Sequence, residues 1–205
     1  MAFGILRLYS SSEPQKLINV TNEHLDKHNR KNAYIGRSIT RPNMFLLGSR
    51  YENLEEKEDQ DNENRTAGLV SKIGDGEFRD VSLIKVVNSN SEGKGLNSNS
   101  YLALFGGENS NIKKTTELSK KIISIDGQSF LDEGITMFQT VLITGIPMNR
   151  TFIWHGINSY ETANKFIDEG LDAFHSEEAK KIIPEVLPLW TTKNRGIFKT
   201  IRNMG

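Results

Sequence analysis

The chain has 205 residues, of which 36 % are hydrophobic and 25 % charged, and its 26 basic and 26 acidic side chains give a formal net charge of zero. This balance argues against a nucleic-acid binder driven by overall charge, and the length favours one domain that folds without disulfides. The absence of cysteine excludes thiolate metal sites and a cysteine nucleophile. We expect no signal peptide and no membrane-spanning run, because the N-terminus lacks the basic and small-residue blocks of a leader and every apolar run is short.

The first quarter of the chain predicts a strand, a helix and two more strands. Loose alternation of apolar residues indicates a strand at residues 3–9. Helical spacing of apolar residues, with Pro14 in the first turn, predicts a helix over about residues 13–29. Strands are predicted at residues 34–40 and 43–50, joined by a turn at Pro42.

Two polar stretches are predicted to be mobile loops. Residues 51–66 are rich in Glu and Asp with almost no apolar side chain, and residues 88–100 are rich in Asn, Ser and Gly. Ordering such segments costs backbone entropy with little apolar burial in return, so we expect both to stay solvated. Between them, the sequence favours β-structure from residue 67 to 87 around a Gly74-Asp75-Gly76 turn.

The rest of the chain predicts four strands and then helices. The strand candidates are residues 101–105, 118–125, 135–144 and 151–157. A helix capped by Ser159 follows, then a second from Glu177 that Pro184 kinks or ends, and finally a basic tail. Grouped strands predict an α+β fold: an antiparallel β-sandwich or β-barrel-like core with one N-terminal helix and C-terminal helices. We expect a single domain over residues 1–205 without an internal repeat, whose buried core includes Phe138, Leu142, Trp154, Phe166 and Phe174.

Histidines supply the main candidates for chemistry. His24 and His28 are spaced i, i+4 on the predicted helix, which can place two imidazoles on a zinc ion. The His-Glu-x-x-His pattern of zinc proteases is absent, so the favoured interpretation is a pair of surface histidines. His155 could act as a general base if one of the carboxylates at positions 126, 132 and 133 oriented it. A strand histidine without catalytic role is favoured, so we expect no catalytic residue, no metal and no cofactor.

Two short stretches resemble the tail tube proteins of contractile-tailed bacteriophages. The first is Arg41-Pro42-Asn43-Met44-Phe45 and the second runs from Trp154 to Asp168, where a strand enters a helix. The resemblance implies a β-sandwich with a packed helix, assembled as rings. It favours a related tail or virion component over a tube subunit proper, because the predicted helices and basic tail replace the strands that follow the helix in that family.

These observations predict a non-enzymatic structural subunit of a phage tail or other virion assembly, acting through protein–protein interfaces. We expect a homo-oligomer with neighbouring assembly subunits, located in the virion or, before assembly, in the host cytoplasm, and no membrane contact. The alternatives are a small enzyme or host-directed effector that uses His155 with nearby carboxylates, and a nucleic-acid-binding module that uses the basic tail. The predicted interface residues in that tail are Lys193, Arg195, Phe198, Lys199 and Arg202.

Overall fold

The structure is a computed structural model that describes residues 3–91, 100–144 and 148–204. Its fold consists of two halves, each with the element order βαββαβ. The first half consists of β1 (Phe3–Ser11), α1 (Pro14–Lys27), β2 (Ala33–Ser38), β3 (Met44–Tyr51), α2 (Leu54–Thr66), α3 (Leu69–Lys72) and β4 (Gly76–Ser89). The second half consists of β5 (Tyr101–Asn109), α4 (Ile112–Asp132), β6 (Ile135–Thr144), β7 (Arg150–Ile157), α5 (Tyr160–Glu169), a 3₁₀ turn (Leu171–Phe174), α6 (Glu177–Lys180), α7 (Ile183–Val186), a 3₁₀ turn (Leu187–Leu189) and β8 (Trp190–Arg202).

The described strands form one closed antiparallel barrel in the order β1-β3-β2-β8-β5-β7-β6-β4. Within each half the first and third strands are central, and the two halves join through β2 with β8 and β4 with β6. Closure leaves no unpaired edge among the described strands, which removes the usual route to edge-to-edge association. The predicted α+β class with an antiparallel barrel-like core is confirmed.

The two halves repeat each other down to strand register. Arg7 pairs with Leu47 in the first half as Phe105 pairs with Ile153 in the second. A register shift follows Leu8 in the pairing of β1 with β4, and the corresponding shift follows Gly106 in the pairing of β5 with β8. An internal repeat is therefore present in the structure, although none was expected from the sequence, because the repeat lies in backbone pairing and not in residue identity.

Three apolar clusters result from the alternation of side chains along the strands. The barrel interior is filled from all eight described strands, and each half also packs the outer face of its sheet against its own helices. The predicted core residues are all buried, as are the largest residues of the interior: Leu6, Tyr34, Leu46, Leu102, Leu104, Phe138, Leu142, Phe152, Trp154 and Phe198.

The predicted loop at residues 51–66 is wrong for most of its length, because residues 54–66 form α2. The helix has almost no apolar face, so periodicity did not reveal it. Its first turn is capped, since the backbone N–H of Glu56 donates to the Asn53 side chain at 2.9 Å, and Lys57 pairs with Asp61 one turn apart. The mobility predicted for the second polar stretch falls largely on residues 92–99, which lie outside the described residues.

Two predicted strand regions are helical. Residues 118–125 lie in the middle of α4, whose buried positions Leu118, Ile122 and Phe130 share one helical face. Residues 69–72 form α3, and Gly74, at a φ of 86°, turns the chain into β4. Short apolar runs such as Ile122–Ile125 fit either structure, and here the Asn111 cap and packing on β4 and β6 decide for the helix.

The predicted basic tail is strand β8, which pairs with both β2 and β5. Phe198 is 5 % exposed and belongs to the barrel interior. Its assignment as an interface residue is therefore wrong, because its side chain faces inward.

Removing residues 191–205 should unfold the protein, because the barrel would lose the strand that pairs with both β2 and β5 and would open between the two halves. We expect circular dichroism to show loss of cooperative thermal unfolding in this truncated chain. The control is Lys193→Ala, which removes only an exposed ion pair with Glu108 at 3.7 Å and should change the free energy of unfolding by less than about 1 kcal/mol. A truncated chain that melts cooperatively near the wild-type temperature would contradict this role of β8.

Phe166→Ala should lower the free energy of unfolding by about 3–5 kcal/mol, because it leaves a cavity in the cluster under α5. Urea denaturation measures this change. The control is Ile167→Ala on the same helix, since Ile167 is 54 % exposed and its truncation should have a much smaller effect.

Candidate functional site

A cavity of about 640 Å³ lies in the first half, between the outer face of the sheet and the helices that cover it. Its floor comes from β1, β2 and β3 and its walls from α1, α2 and α3. The volume lies in the usual range for small-molecule sites, about 300–1,000 Å³. Among its lining residues are Arg7, Thr21, Leu25, Arg30, Ala33, Ile35, Leu47, Ser49, Tyr51, Gln60, Asp61, Asn64, Arg65, Leu69 and Ile73.

The floor is shaped by small and medium-sized side chains. Ala33 pairs with Ser49 across β2 and β3, and Ile35 pairs with Leu47 in the next outward-facing row. Arg7 continues the second row on β1. The side chains therefore leave space above Ala33 and Ser49, with apolar surface beside it.

One wall carries a polar network that links α1 to α2. The His24 Nε2 lies 2.7 Å from the Asn64 side-chain oxygen, and the rings of His24 and His28 lie 4.5 Å apart between centroids. His28 pairs with Glu63, and the Arg30 Nε donates to Glu63 at 3.0 Å. The hydrogen bond from Arg30 is the main reason why the pKa of Glu63 lies below its usual value. Asn64 and Arg30 also line the cavity, so this network fixes two wall residues.

The candidate zinc pair His24 and His28 thus has protein partners. Within the described ranges, no group of three or more His, Cys, Asp or Glu side chains could hold a metal ion. The i, i+4 spacing did place the two rings together, as predicted, and the rings contact Asn64 and Glu63.

The corresponding place in the second half is filled with rings. Met137 pairs with His155 as Ala33 pairs with Ser49, and Phe105 stands where Arg7 stands in the first half. Phe105 lies 6.3 Å from Phe166 between ring centroids and 5.8 Å from His155. Larger side chains on the same backbone frame thus stand at the positions that border the cavity in the first half.

His155 is fully buried among Phe105, Phe130 and Phe166. Neither ring nitrogen has a hydrogen-bond partner in the described chain. Burial, with a smaller contribution from His175, lowers the pKa of His155 to about 3, so the ring is neutral at physiological pH.

None of the three predicted carboxylates orients His155. The Asp126 carboxylate instead lies 2.8 Å from Nδ1 of His175 and accepts the backbone N–H of Ser176. The side chain of Asp132 accepts from Gln128, and Glu133 pairs with Lys165. The carboxylate that a general base at His155 would need is therefore not found among the described residues, because neither ring nitrogen has a partner there.

The predicted cationic interface residues lie along β8. Arg202 reaches Asp26 of α1 at 2.7 Å, and Lys193 pairs with Glu108. Arg195 and Lys199 are exposed. These positions bring no cations to the cavity, and their role in an interface stays a prediction.

Sequence reasoning missed the cavity because its residues are far apart in the chain. Arg7, Ser49 and Arg65 come from three elements, β1, β3 and α2. The sequence predicted the two strands but not which face of the sheet their side chains lie on. The one available signal was Arg7, a charged residue within an apolar strand.

No family model and no curated protein sequence matches the chain. Solved structures do share its fold. A protein named as a candidate monooxygenase (FN1347) from Fusobacterium nucleatum subsp. nucleatum has a TM-score of 0.69 and 10 % identity, over 100 % of this chain and 95 % of that one. An anthrone oxidase-like protein has a TM-score of 0.66 and 10 % identity, over 98 % and 92 %. LmHde, a heme-degrading enzyme from Listeria monocytogenes, has a TM-score of 0.51 and 8 % identity, over 95 % and 98 %.

These likenesses overturn the predicted function. They extend over nearly the whole chain and the proteins are named as enzymes, whereas the bacteriophage resemblance concerned two short stretches. The prediction of a non-enzymatic virion or phage-tail subunit is therefore wrong, and the alternative of a small enzyme is better supported. The likeness of the two stretches to tail tube proteins stays untested. None of the helices in the described ranges has the length and apolar character needed to cross a membrane.

The cavity does not fit a heme. Heme iron takes an axial His, Cys, Met or Tyr ligand, and the described lining has no His, Cys or Met. The hydroxyl of Tyr34 lies 3.3 Å from Thr200 and burial raises its pKa, which disfavours the phenolate form. The ring of Tyr51 packs on Phe3 with 5.5 Å between centroids. We therefore assign no reaction step to a heme.

His155→Leu should make the protein less sensitive to acid. The unfolded chain protonates this histidine near pH 6.5, whereas the folded chain does so only near pH 3. Between these values, stability falls with falling pH by up to about 1.4 kcal/mol per pH unit, and leucine removes this contribution.

Urea denaturation at pH 7, 6, 5 and 4 measures the slope. Phe105→Leu is the control, because it alters packing beside the same ring without removing a titrating group and should keep the wild-type slope. Equal slopes for His155→Leu and wild type would show that His155 is not a buried neutral group.

Proposed function

We propose that the protein is a small oxidoreductase whose substrate binds in the cavity of the first half. The observation that carries the proposal is the cavity itself, which Ala33 and Ser49 border in the first half where the second half carries Met137 and His155. Clefts of this size between packed elements are a common place for small-molecule sites.

The composition of the cavity suits a ring-sized organic substrate. Leu25, Ile35 and Leu47 supply apolar surface, and Ser49 with Asn64 supplies hydrogen-bonding groups. Binding sites of small molecules commonly combine a mostly apolar lining with a few polar groups that fix orientation.

The reaction class follows from the names of the fold's relatives, an oxidase-like protein and a candidate monooxygenase. We propose an oxygen-dependent oxidation of an activated methylene group, R₂CH₂ + O₂ → R₂C=O + H₂O. One oxygen atom enters the substrate and the other leaves as water with the two methylene hydrogens, so no further reductant is needed. The protein's part is to hold the substrate away from bulk water and to orient the reacting carbon.

Filling the cavity should reduce activity at least tenfold without unfolding the protein. Ala33→Phe places a ring above Ser49 at the position where the second half carries Met137. With anthrone as the probe, we expect wild type to consume one O₂ per anthraquinone formed and Ala33→Phe to reduce the rate at least tenfold.

The matched control is Ile143→Phe, which adds a ring at a position on β6 that is 41 % exposed and does not line the cavity. It should keep the wild-type rate, and circular dichroism should show that both variants are folded. An Ala33→Phe variant that oxidises anthrone as fast as wild type would place the reaction elsewhere. Absence of oxygen consumption by wild type with any methylene substrate tried would remove the proposed reaction class.

A further inference from the structure

Arg7 is the charged residue on the cavity floor that the fold itself does not explain. Its neighbours Leu6 and Leu8 point into the barrel, so Arg7 shares the helix-facing side of β1 with Tyr9. It is only half-buried, and it makes no ion pair or hydrogen bond with any residue of the described ranges. A guanidinium on a covered sheet face loses hydration, and no group in those ranges compensates for that loss.

The other charged groups of the lining make the cavity positive. Arg30 is held by Glu63, and Asp61 is held by Lys57, so neither is left to compensate Arg7. Arg65, on the exposed side of α2, also has no partner among the described residues. An excess of positive charge thus lines the cavity, although the chain as a whole carries no net charge.

Comparison with the second half indicates that the fold does not need this charge. Phe105 holds the equivalent position on β5 and packs against Phe166. An apolar residue at position 7 would therefore satisfy the barrel and its helix layer. Tyr51, which lines the same cavity, adds a phenol hydroxyl without a partner in the described chain.

We propose that the cavity binds an apolar organic acid whose carboxylate pairs with Arg7 while its ring lies on Leu47 and Ile35. A guanidinium pairs with a carboxylate through two parallel hydrogen bonds, and partial burial strengthens that pair relative to one in water. The assignment rests on the proposed function, since it names the substrate class of the same cavity.

The test compares two probes of equal shape and different charge. Calorimetric titration measures binding of 2-naphthoate and of the neutral 2-naphthylmethanol to wild type. We expect wild type to prefer the acid by about 10- to 100-fold, the range that a charge-assisted hydrogen bond supplies. A wild-type protein that binds both probes equally, or neither, overturns the assignment.

Variants then locate the preference. Arg7→Gln should bind the two probes equally, and Arg7→Lys should keep part of the preference for the acid. Arg79→Gln is the control, because Arg79 is an exposed residue paired with Glu77 outside the cavity, and it should bind as wild type does. Circular dichroism establishes that each variant is folded, and if Arg7→Gln is not, the comparison rests on Arg7→Lys. A preference that persists fully in both variants overturns the role of Arg7.

The outcome is separable from that of the proposed function. Oxidation of anthrone with no preference for the acid removes the organic-acid assignment and leaves the oxidoreductase. Binding of 2-naphthoate through Arg7, with no oxygen consumed when any methylene substrate is added, removes the oxidoreductase and leaves the organic-acid assignment.

Discussion

Closure of the barrel by two antiparallel contacts, β2 with β8 and β4 with β6, is the constraint on which the rest of the molecule depends. Each half on its own would be a four-stranded sheet with two open edges. Joining the halves satisfies those edges and encloses one apolar interior shared by both. Because strand alternation then sends every second side chain outward, each half must cover its own outer face with helices.

The two covered faces have diverged within one backbone frame. In the second half, Phe105, Phe130 and Phe166 fill the space around His155. In the first half, Ala33 and Ser49 leave that space open and Arg7 borders it. Ring packing dominates the covered face of the second half, and the ligand site that we propose lies on the covered face of the first.

Buried polar groups mark the two halves differently. His24, His28 and Glu63 have partners and tie the wall of the cavity together. His155 has none in the described chain and is kept neutral by its surroundings. The first arrangement gives the cavity a fixed shape, whereas the second makes stability depend on pH without supplying a catalytic base.

The sequence by itself determined the strands and helices that carry clear periodicity. Alternating residues in β1, β2 and β3, the Ser159 cap of α5 and the burial of Trp154 and Phe166 were predictable, because local propensity and tertiary packing agree there. Helix α2 was not, since its stabilising interactions are a cap and ion pairs and not an apolar stripe.

Only the tertiary structure decided the rest. The basic tail forms strand β8 because it pairs with the edges of both β2 and β5. Residues 118–125 are helical because α4 packs on β4 and β6. The cavity exists because Arg7, Ala33 and Ser49 meet across three strands, a proximity set by register and not by spacing along the chain.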